Sequence, residues 1–203
     1  MTDPASYPID FTVPVDDESR SRGLAALGIL AIKLLLLVPH FFLLGLYGMV
    51  IQLIVWIGYW YIAITGGKPF WVENLEIVYL AWTSRANAWM TSVTDVYPTF
   101  GSDADHPAQI LVEEAPEPQN RGMAILGILL IRPILAIPHF FILFWLTLGT
   151  VILMWVGYVI ILVTGSLPLS MHLYFVGFHR WWARAWGWTA ALTDEYPPFS
   201  LKA

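Results

Sequence analysis

Two histidines occupy matched positions inside long apolar tracts of the sequence. His40 lies within Pro-His-Phe-Phe at residues 39–42, and His139 lies within the same four residue types at 138–141. An ionisable ring in an apolar tract costs free energy unless it has a partner, and such rings often mark function. The pair predicts an intramembrane polar site with two interpretations. Each imidazole either bonds backbone that the preceding proline leaves free, or ligates a group such as haem.

Two matched cations lie in the same tracts, seven residues before each histidine. Lys33 and Arg132 have two interpretations as well. They contact lipid phosphates or line a substrate path, or they extend toward water and pair with an acid such as Asp95 or Asp194.

A second pair of cations follows each tract, within a segment rich in aromatic residues. Arg85 is three residues after Trp82, and Arg184 is three residues after Trp181. Side chains three residues apart share one face of a helix. Because Trp and Arg are favoured at lipid headgroups, these four residues predict a lipid-binding site, although a plain membrane-anchoring belt has the same composition.

Recognisable catalytic patterns are missing from the sequence. It has no His-Glu-x-x-His, no glycine-rich phosphate loop and no Gly-x-Ser-x-Gly, and it contains no cysteine. Asp95 and Asp194 resemble an acid–base pair, but each stands two residues before Tyr-Pro, where a short acceptor commonly caps a turn. We therefore expect no enzyme, no metal and no cofactor.

The composition favours a membrane protein. Apolar residues make up 58% of the 203 residues and charged residues 12%, against roughly 25% charged in soluble domains. Residues 24–65 contain one charge, and so do residues 123–168. The formal charge of −5, with dispersed cations, argues against nucleic-acid binding. The fold class predicted is an all-α integral membrane protein.

The chain is a tandem duplication. A shift of 99 residues aligns it with itself without a gap, and roughly thirty of about eighty positions are identical. The units cover residues 1–104 and 105–203, and each begins with a short extended segment, at 8–13 and 109–112. We predict that these two segments pair with each other.

Each apolar tract is about twice the length of one membrane span. We therefore predict transmembrane hairpins over about 22–65 and 121–164, which turn at 45–48 and 147–149. Pro39 and Pro138 would kink the first helix of each hairpin. Amphipathic interfacial helices follow at about 70–94 and 169–193. If Lys33 and Arg132 mark the water interface, the hairpins are shallow or re-entrant instead.

The distribution of cations predicts the orientation. Lys and Arg fall outside the predicted turns, so the positive-inside rule places both termini, the linker and the interfacial helices in the cytoplasm. Two units that each cross twice have the same orientation, which predicts a pseudo-twofold axis along the membrane normal.

The repeated motifs resemble a known family. Arg-Gly, a cation in the apolar tract, Pro-His, Thr-Gly-x-x-Pro and a closing Thr-Asp-x-Tyr-Pro-Pro-Phe are similar to a bacterial multi-pass membrane family, the domain-of-unknown-function family 4389. The first copy departs from this pattern at Thr99, Glu73 and Glu76. The resemblance implies two tandem copies and location in the bacterial cytoplasmic membrane, and it supplies no activity.

These features predict a non-enzymatic membrane protein. It would act as an accessory or scaffold subunit that binds membrane lipids and partner membrane proteins, or that associates with itself. The alternative is a small transporter or channel component, whose path would be lined by Lys33, His40, Arg132 and His139.

Overall fold

Both copies of the repeat fold into the same order of elements. The computed structural model describes residues 7–15, 19–113 and 118–202. The first copy contains β1 (Ile9–Thr12), α1 (Arg22–Ile29), α2 (Ile32–Thr65) and α3 (Phe70–Met90). The second contains β2 (Gln109–Val112), α4 (Arg121–Ile128), α5 (Ile131–Leu135), α6 (Ile137–Thr164) and α7 (Leu169–Thr189). The chain is therefore mostly helical and duplicated, as predicted.

The apolar tracts form long helices, so the predicted turns at 45–48 and 147–149 are wrong. Residues 45–48 lie inside α2, which is continuous for 34 residues, and residues 147–149 lie inside α6, which has 28. By length and composition, α2 and α6 are the described helices able to cross a membrane. A glycine inside a helix weakens it by only about 1 kcal/mol relative to alanine, so the glycines at 45 and 48 do not end α2.

The chain reverses later than predicted, after each long helix. Gly66 and Gly165 adopt left-handed conformations, with φ of 88° and 81°, and end α2 and α6. Pro69 and Pro168 then precede the following helices. Since Tyr79 on α3 lies next to Gly48, α3 returns along α2. A helical hairpin thus exists in each copy, but it joins α2 to α3 and α6 to α7.

The two prolines inside the tracts are accommodated differently. Pro39 lies within α2, which continues past it. Pro138 lies in the first turn of α6, where its missing N–H costs nothing, and Ala136 separates α6 from α5. The predicted hairpin regions begin with separate short helices, α1 and α4, which end at Ile29 and Ile128. Ala31 and Leu130, which directly precede the next helices, adopt left-handed conformations.

The aromatic segments form the predicted helices α3 and α7, but these helices lie inside the protein. Thirteen residues of α7 and nine of α3 are buried. The two helices pack on each other, α2 and α6 cover them, and β1 and β2 pack on α7 and α3. The prediction that they lie exposed at a lipid interface is therefore wrong.

The two short strands pair, as predicted, into an antiparallel ribbon. Phe11 is opposite Ile110, and Asp10 is opposite Leu111. The 99-residue shift between copies converts the pair Asp10–Leu111 into the observed pair Gln109–Thr12. The ribbon therefore sits on the pseudo-twofold axis. Such an axis relates antiparallel strands when it is perpendicular to the ribbon.

The long helices run in opposite directions. Lys33, at the start of α2, has its Nζ 5.2 Å from the ring centroid of Tyr158 near the end of α6. Arg132, just before α6, lies 5.9 Å from the ring of Tyr59 near the end of α2. A twofold axis along the helices would bring like ends together. The axis that relates the two copies therefore crosses the long helices.

Candidate functional site

Each matched histidine is enclosed by aromatic rings of its own copy. Trp82 Nε1 donates a hydrogen bond to His40 Nδ1 over 2.9 Å. Phe100 stacks on the His40 ring, with centroids 4.1 Å apart and planes within 8°. We call this set of three residues an imidazole niche. In the second copy, the corresponding distances are 3.0 and 3.9 Å, and the niche consists of His139, Trp181 and Phe199.

The hydrogen bond assigns the protonation of the ring. An indole N–H only donates, so Nδ1 of each histidine is the acceptor and the ring hydrogen is on Nε2. Both imidazoles are fully buried, and neither Nε2 has a hydrogen-bond partner among the described residues. The interpretation that His40 and His139 bond freed backbone is wrong, because α3 and α7 bring a tryptophan to each ring. No group of three metal-binding side chains occurs among the described residues.

The cations of the apolar tracts point into the protein. Lys33 Nζ donates to the carbonyl of Trp89 over 2.6 Å and to Ser92 Oγ over 3.0 Å, and it lies 4.4 Å from the Trp89 ring centroid. This cation–π geometry compensates part of the cost of burial. With a relative exposure of 1%, Lys33 does not reach the surface where a lipid phosphate would bind.

Arg132 is equally buried, and it has the predicted acidic partner. Its NH1 lies 3.4 Å from Asp194 Oδ1, and its NH2 donates to the carbonyl of Thr193 over 2.5 Å. The guanidinium also lies 4.8 Å from the Trp188 ring centroid. The pairing of Arg132 with Asp194 is confirmed. Lys33, at the corresponding position of the first copy, donates to a carbonyl and a hydroxyl instead of a carboxylate.

Arg85 and Arg184 are structural groups of the interior. Arg85 donates to the carbonyls of Gly101 and Asp103. Arg184 donates to the carbonyls of Ile9 and Lys202, each over 2.9 Å. The two arginines are 1% and 2% exposed. Their predicted outward placement is wrong, because the last segment of each copy folds back over α3 or α7. That the protein binds lipid stays a prediction.

Trp82 and Trp181, which were predicted to face lipid with the arginines, are the hydrogen-bond donors of the niches. They are 7% and 5% exposed. The four residues predicted as one lipid site thus divide into two structural roles.

Asp95 and Asp194 connect the end of each copy to its first helix. The backbone N–H of Ser21 donates to Asp95 Oδ2 over 2.6 Å, and Asn120 N–H donates to Asp194 Oδ2 over 2.7 Å. The turn itself is capped by the preceding threonine, whose Oγ1 accepts from Val96 or Glu195. The acid–base interpretation has no support in this geometry.

An ion pair that the sequence analysis missed lies between the two copies. Lys68 Nζ lies 2.5 Å from Glu76 Oε2 and donates to the carbonyl of Ala190 over 2.7 Å. The side chains of Lys68 and Glu76 are 2% and 0% exposed. Burial raises the pKa of Glu76 to about 7, and the attraction of Lys68 offsets this only in part. Burial likewise lowers the pKa of Lys68.

The signal for this pair was present in the duplication. The positions of Lys68 and Glu76 correspond to Leu167 and Phe175 in the second copy. A polar residue in one copy opposite an apolar residue in the other indicates a buried site that only one copy possesses. Glu76 departs from the repeated pattern, but nothing in the pattern identifies Lys68 as its partner.

The fold and these interior groups define a class: a duplicated, mostly helical protein whose described part contains two helices long and apolar enough to cross a membrane. The model of a domain of unknown function, DUF4389, matches the chain twice, at residues 29–102 and 128–200. The chain therefore belongs to the DUF4389 family, in two tandem copies. No curated protein and no solved structure matches it.

Proposed function

We propose that the protein is embedded in the bacterial cytoplasmic membrane as a non-enzymatic accessory or scaffold subunit, which binds lipids and partner membrane proteins. One observation carries the proposal. The surface of α2 and α6 is apolar, while charged groups lie in the interior. Soluble proteins have the opposite distribution, since their charged side chains are almost never fully buried unless paired.

The exposed surfaces of the long helices support contact with lipid. Met49 and Leu53 on α2 are 72% and 65% exposed, and Ile152 and Val163 on α6 are 65% and 71% exposed. Many exposed large apolar side chains on the same helix favour a membrane or protein interaction site. Neither helix has an exposed charged side chain. The exposed charged residues of the described chain belong to other segments, although Arg22 donates to the carbonyl of Val163 at the end of α6. They are Arg22, Asp105, Glu113, Arg121, Glu195 and Lys202.

The use of the interior groups favours an accessory role over catalysis. Each titratable pair singled out in the sequence holds two parts of the chain together: the arginines hold returning segments, and the aspartates hold the first helices. A transporter would need a path lined by Lys33, His40, Arg132 and His139, and each of these side chains is at most 1% exposed. We therefore favour binding over transport.

The proposal is tested by charging the lipid-facing surface. Leu53→Asp with Ile152→Asp changes one exposed position on each long helix, and we expect the variant to leave the membrane fraction. Leu111→Asp, at a 54% exposed position on β2, is the control and should stay membrane-bound. Native mass spectrometry of the wild type in mild detergent should show retained lipid or a partner protein. Wild type purified as a monomer without either would contradict the subunit role.

A further inference from the structure

We infer that the protein embeds in one leaflet of the bilayer, with α2 and α6 lying along the membrane and the ribbon facing the cytoplasm. The inference rests on the proposed membrane embedding and goes beyond it. The interaction surface is the layer formed by α2 and α6, and it contacts the acyl chains of a single leaflet.

The order of layers is the first argument. The ribbon packs on α3 and α7, and these helices pack in turn on α6 and α2. The ribbon carries Asp10, which is ion-paired with Arg180, and it continues into the exposed Glu113. The ribbon side of the central helices thus carries charged groups beside the exposed Leu111, whereas the long helices on the other side expose no charged side chain. A molecule with two unlike sides fits an interface between water and lipid.

The pseudo-twofold axis gives the second argument. The axis is perpendicular to the ribbon and crosses the long helices, which run in opposite directions. When the apolar layer faces the membrane, this axis coincides with the membrane normal. Both copies then enter to the same depth, and the polar parts of both copies lie on one side. This agrees with the sequence-based expectation that the termini and linker share the cytoplasmic face.

An upright arrangement of the long helices has a specific cost. The ribbon packs against the middle of α7, where Arg184 donates to the carbonyl of Ile9 and Arg180 donates to the carbonyl of Phe11. Upright helices would therefore bring the ribbon to bilayer depth. Each strand has one strand neighbour among the described residues. The outer carbonyls of β1 accept from the two arginines, whereas the outer edge of β2 is left open. Hydrocarbon does not tolerate open strand edges, since each unpaired backbone group costs several kcal/mol.

The dimensions agree with one leaflet. At 1.5 Å per residue, the 34 residues of α2 extend about 51 Å, well beyond a hydrocarbon core about 30 Å thick. A helix with its side chains is about 10–12 Å wide, which fits within half of that core. A single layer of helices therefore fills one leaflet without crossing the membrane.

Cysteine labelling distinguishes the arrangements, and the chain has no native cysteine. Gly67→Cys and Ser166→Cys are counterparts that follow the ends of the antiparallel helices α2 and α6. Met49→Cys and Leu148→Cys are counterparts on the exposed surfaces of these helices. Each full-length variant is treated with a membrane-impermeant maleimide in sealed vesicles of either orientation.

If the protein is embedded in one leaflet, positions 67 and 166 should be labelled from the cytoplasmic side only. Positions 49 and 148 should be labelled from neither side. Labelling of 67 and 166 from opposite sides would show crossing helices and overturn the inference alone. Labelling of 49 and 148 from the far side would show spanning hairpins, with the same consequence. If all four positions react from one side, the helices are in water, and the membrane proposal fails together with the inference.

Discussion

The two copies of the repeat agree in their imidazole niches and differ at one buried pair. His40 accepts from Trp82 under a stacked phenylalanine, and the second copy repeats this geometry within about 0.2 Å. The ion pair of Lys68 and Glu76 has no such counterpart. The repeated groups hold together the hairpin within each copy, whereas the pair connects the first copy to the end of α7 through the carbonyl of Ala190.

The second copy solves the same packing problem with apolar side chains. Phe175, at the position of Glu76, is fully buried in a cluster with Phe11 and Val13. Leu167 occupies the position of Lys68 and packs against the same cluster. The difference indicates that these two positions can hold either an ion pair or a pair of apolar residues. We expect one charged residue beside one apolar residue to destabilise the fold.

The largest expected effect on stability comes from removing one residue of the Lys68–Glu76 ion pair. Glu76→Leu removes the carboxyl oxygen to which the buried Lys68 Nζ donates in either protonation state of Glu76, and we expect a loss of about 3–5 kcal/mol in the free energy of unfolding. Lys68→Leu with Glu76→Phe installs the residues of the second copy and should recover most of this loss. Thermal unfolding in detergent measures both variants. A double variant as unstable as the single one would show that the two copies are not interchangeable here.

The pair also predicts a pH dependence. The pKa of Glu76 is about 7 in the folded protein, against 4.5 as its ordinary value. Between these values the folded protein holds a proton that the unfolded chain has lost. The stabilisation from this proton is complete below about pH 4.5 and is lost as the pH rises to about 7.

The double variant is the control for this titration. Relative to Lys68→Leu with Glu76→Phe, we expect the wild-type melting temperature to fall as the pH rises from 4.5 to 7. Equal pH profiles of the two proteins would mean that the carboxyl group of Glu76 does not titrate in this range.

A smaller and equal effect is expected in the two niches. Trp82→Phe removes the donor to His40 Nδ1 and leaves a buried acceptor unpaired, which costs about 1–3 kcal/mol. Trp181→Phe should cost the same within error, because its geometry is the same. Trp71→Phe, at a 50% exposed position of α3, should change stability little. A clear difference between the two niche variants would contradict the equivalence of the copies.

Features with a local or repeated signal could be predicted from the sequence. The duplication, the pairing of 8–13 with 109–112 and the helices after Pro69 and Pro168 follow from alternation, breakers and self-similarity. The helix breaks at Ala31 and Leu130 could not be predicted, since both residues adopt a left-handed conformation without glycine. The length of the tract predicts two spans with a turn at 45–48, but glycine alone does not end a helix.

The roles of the candidate site residues depend on contacts between distant parts of the chain. No residue near Arg184 in the sequence indicates that Arg184 donates to the carbonyl of Ile9, which is 175 residues away. The tryptophan partner of each histidine is 42 residues away, and it becomes predictable only when the hairpin joins α2 to α3. Matched burial of cations and histidines could be predicted from the duplication, but their partners could not.

Contact between the long helices and lipid is the central claim, and depth-dependent quenching tests it most directly. A bimane fluorophore is attached to Met49→Cys in vesicles whose lipids carry bromine on the acyl chains. The same fluorophore on Leu111→Cys, on the ribbon, is the reference. We predict strong quenching at 49 and little quenching at 111. Equal and weak quenching at both positions would contradict the claim that α2 is immersed in the membrane.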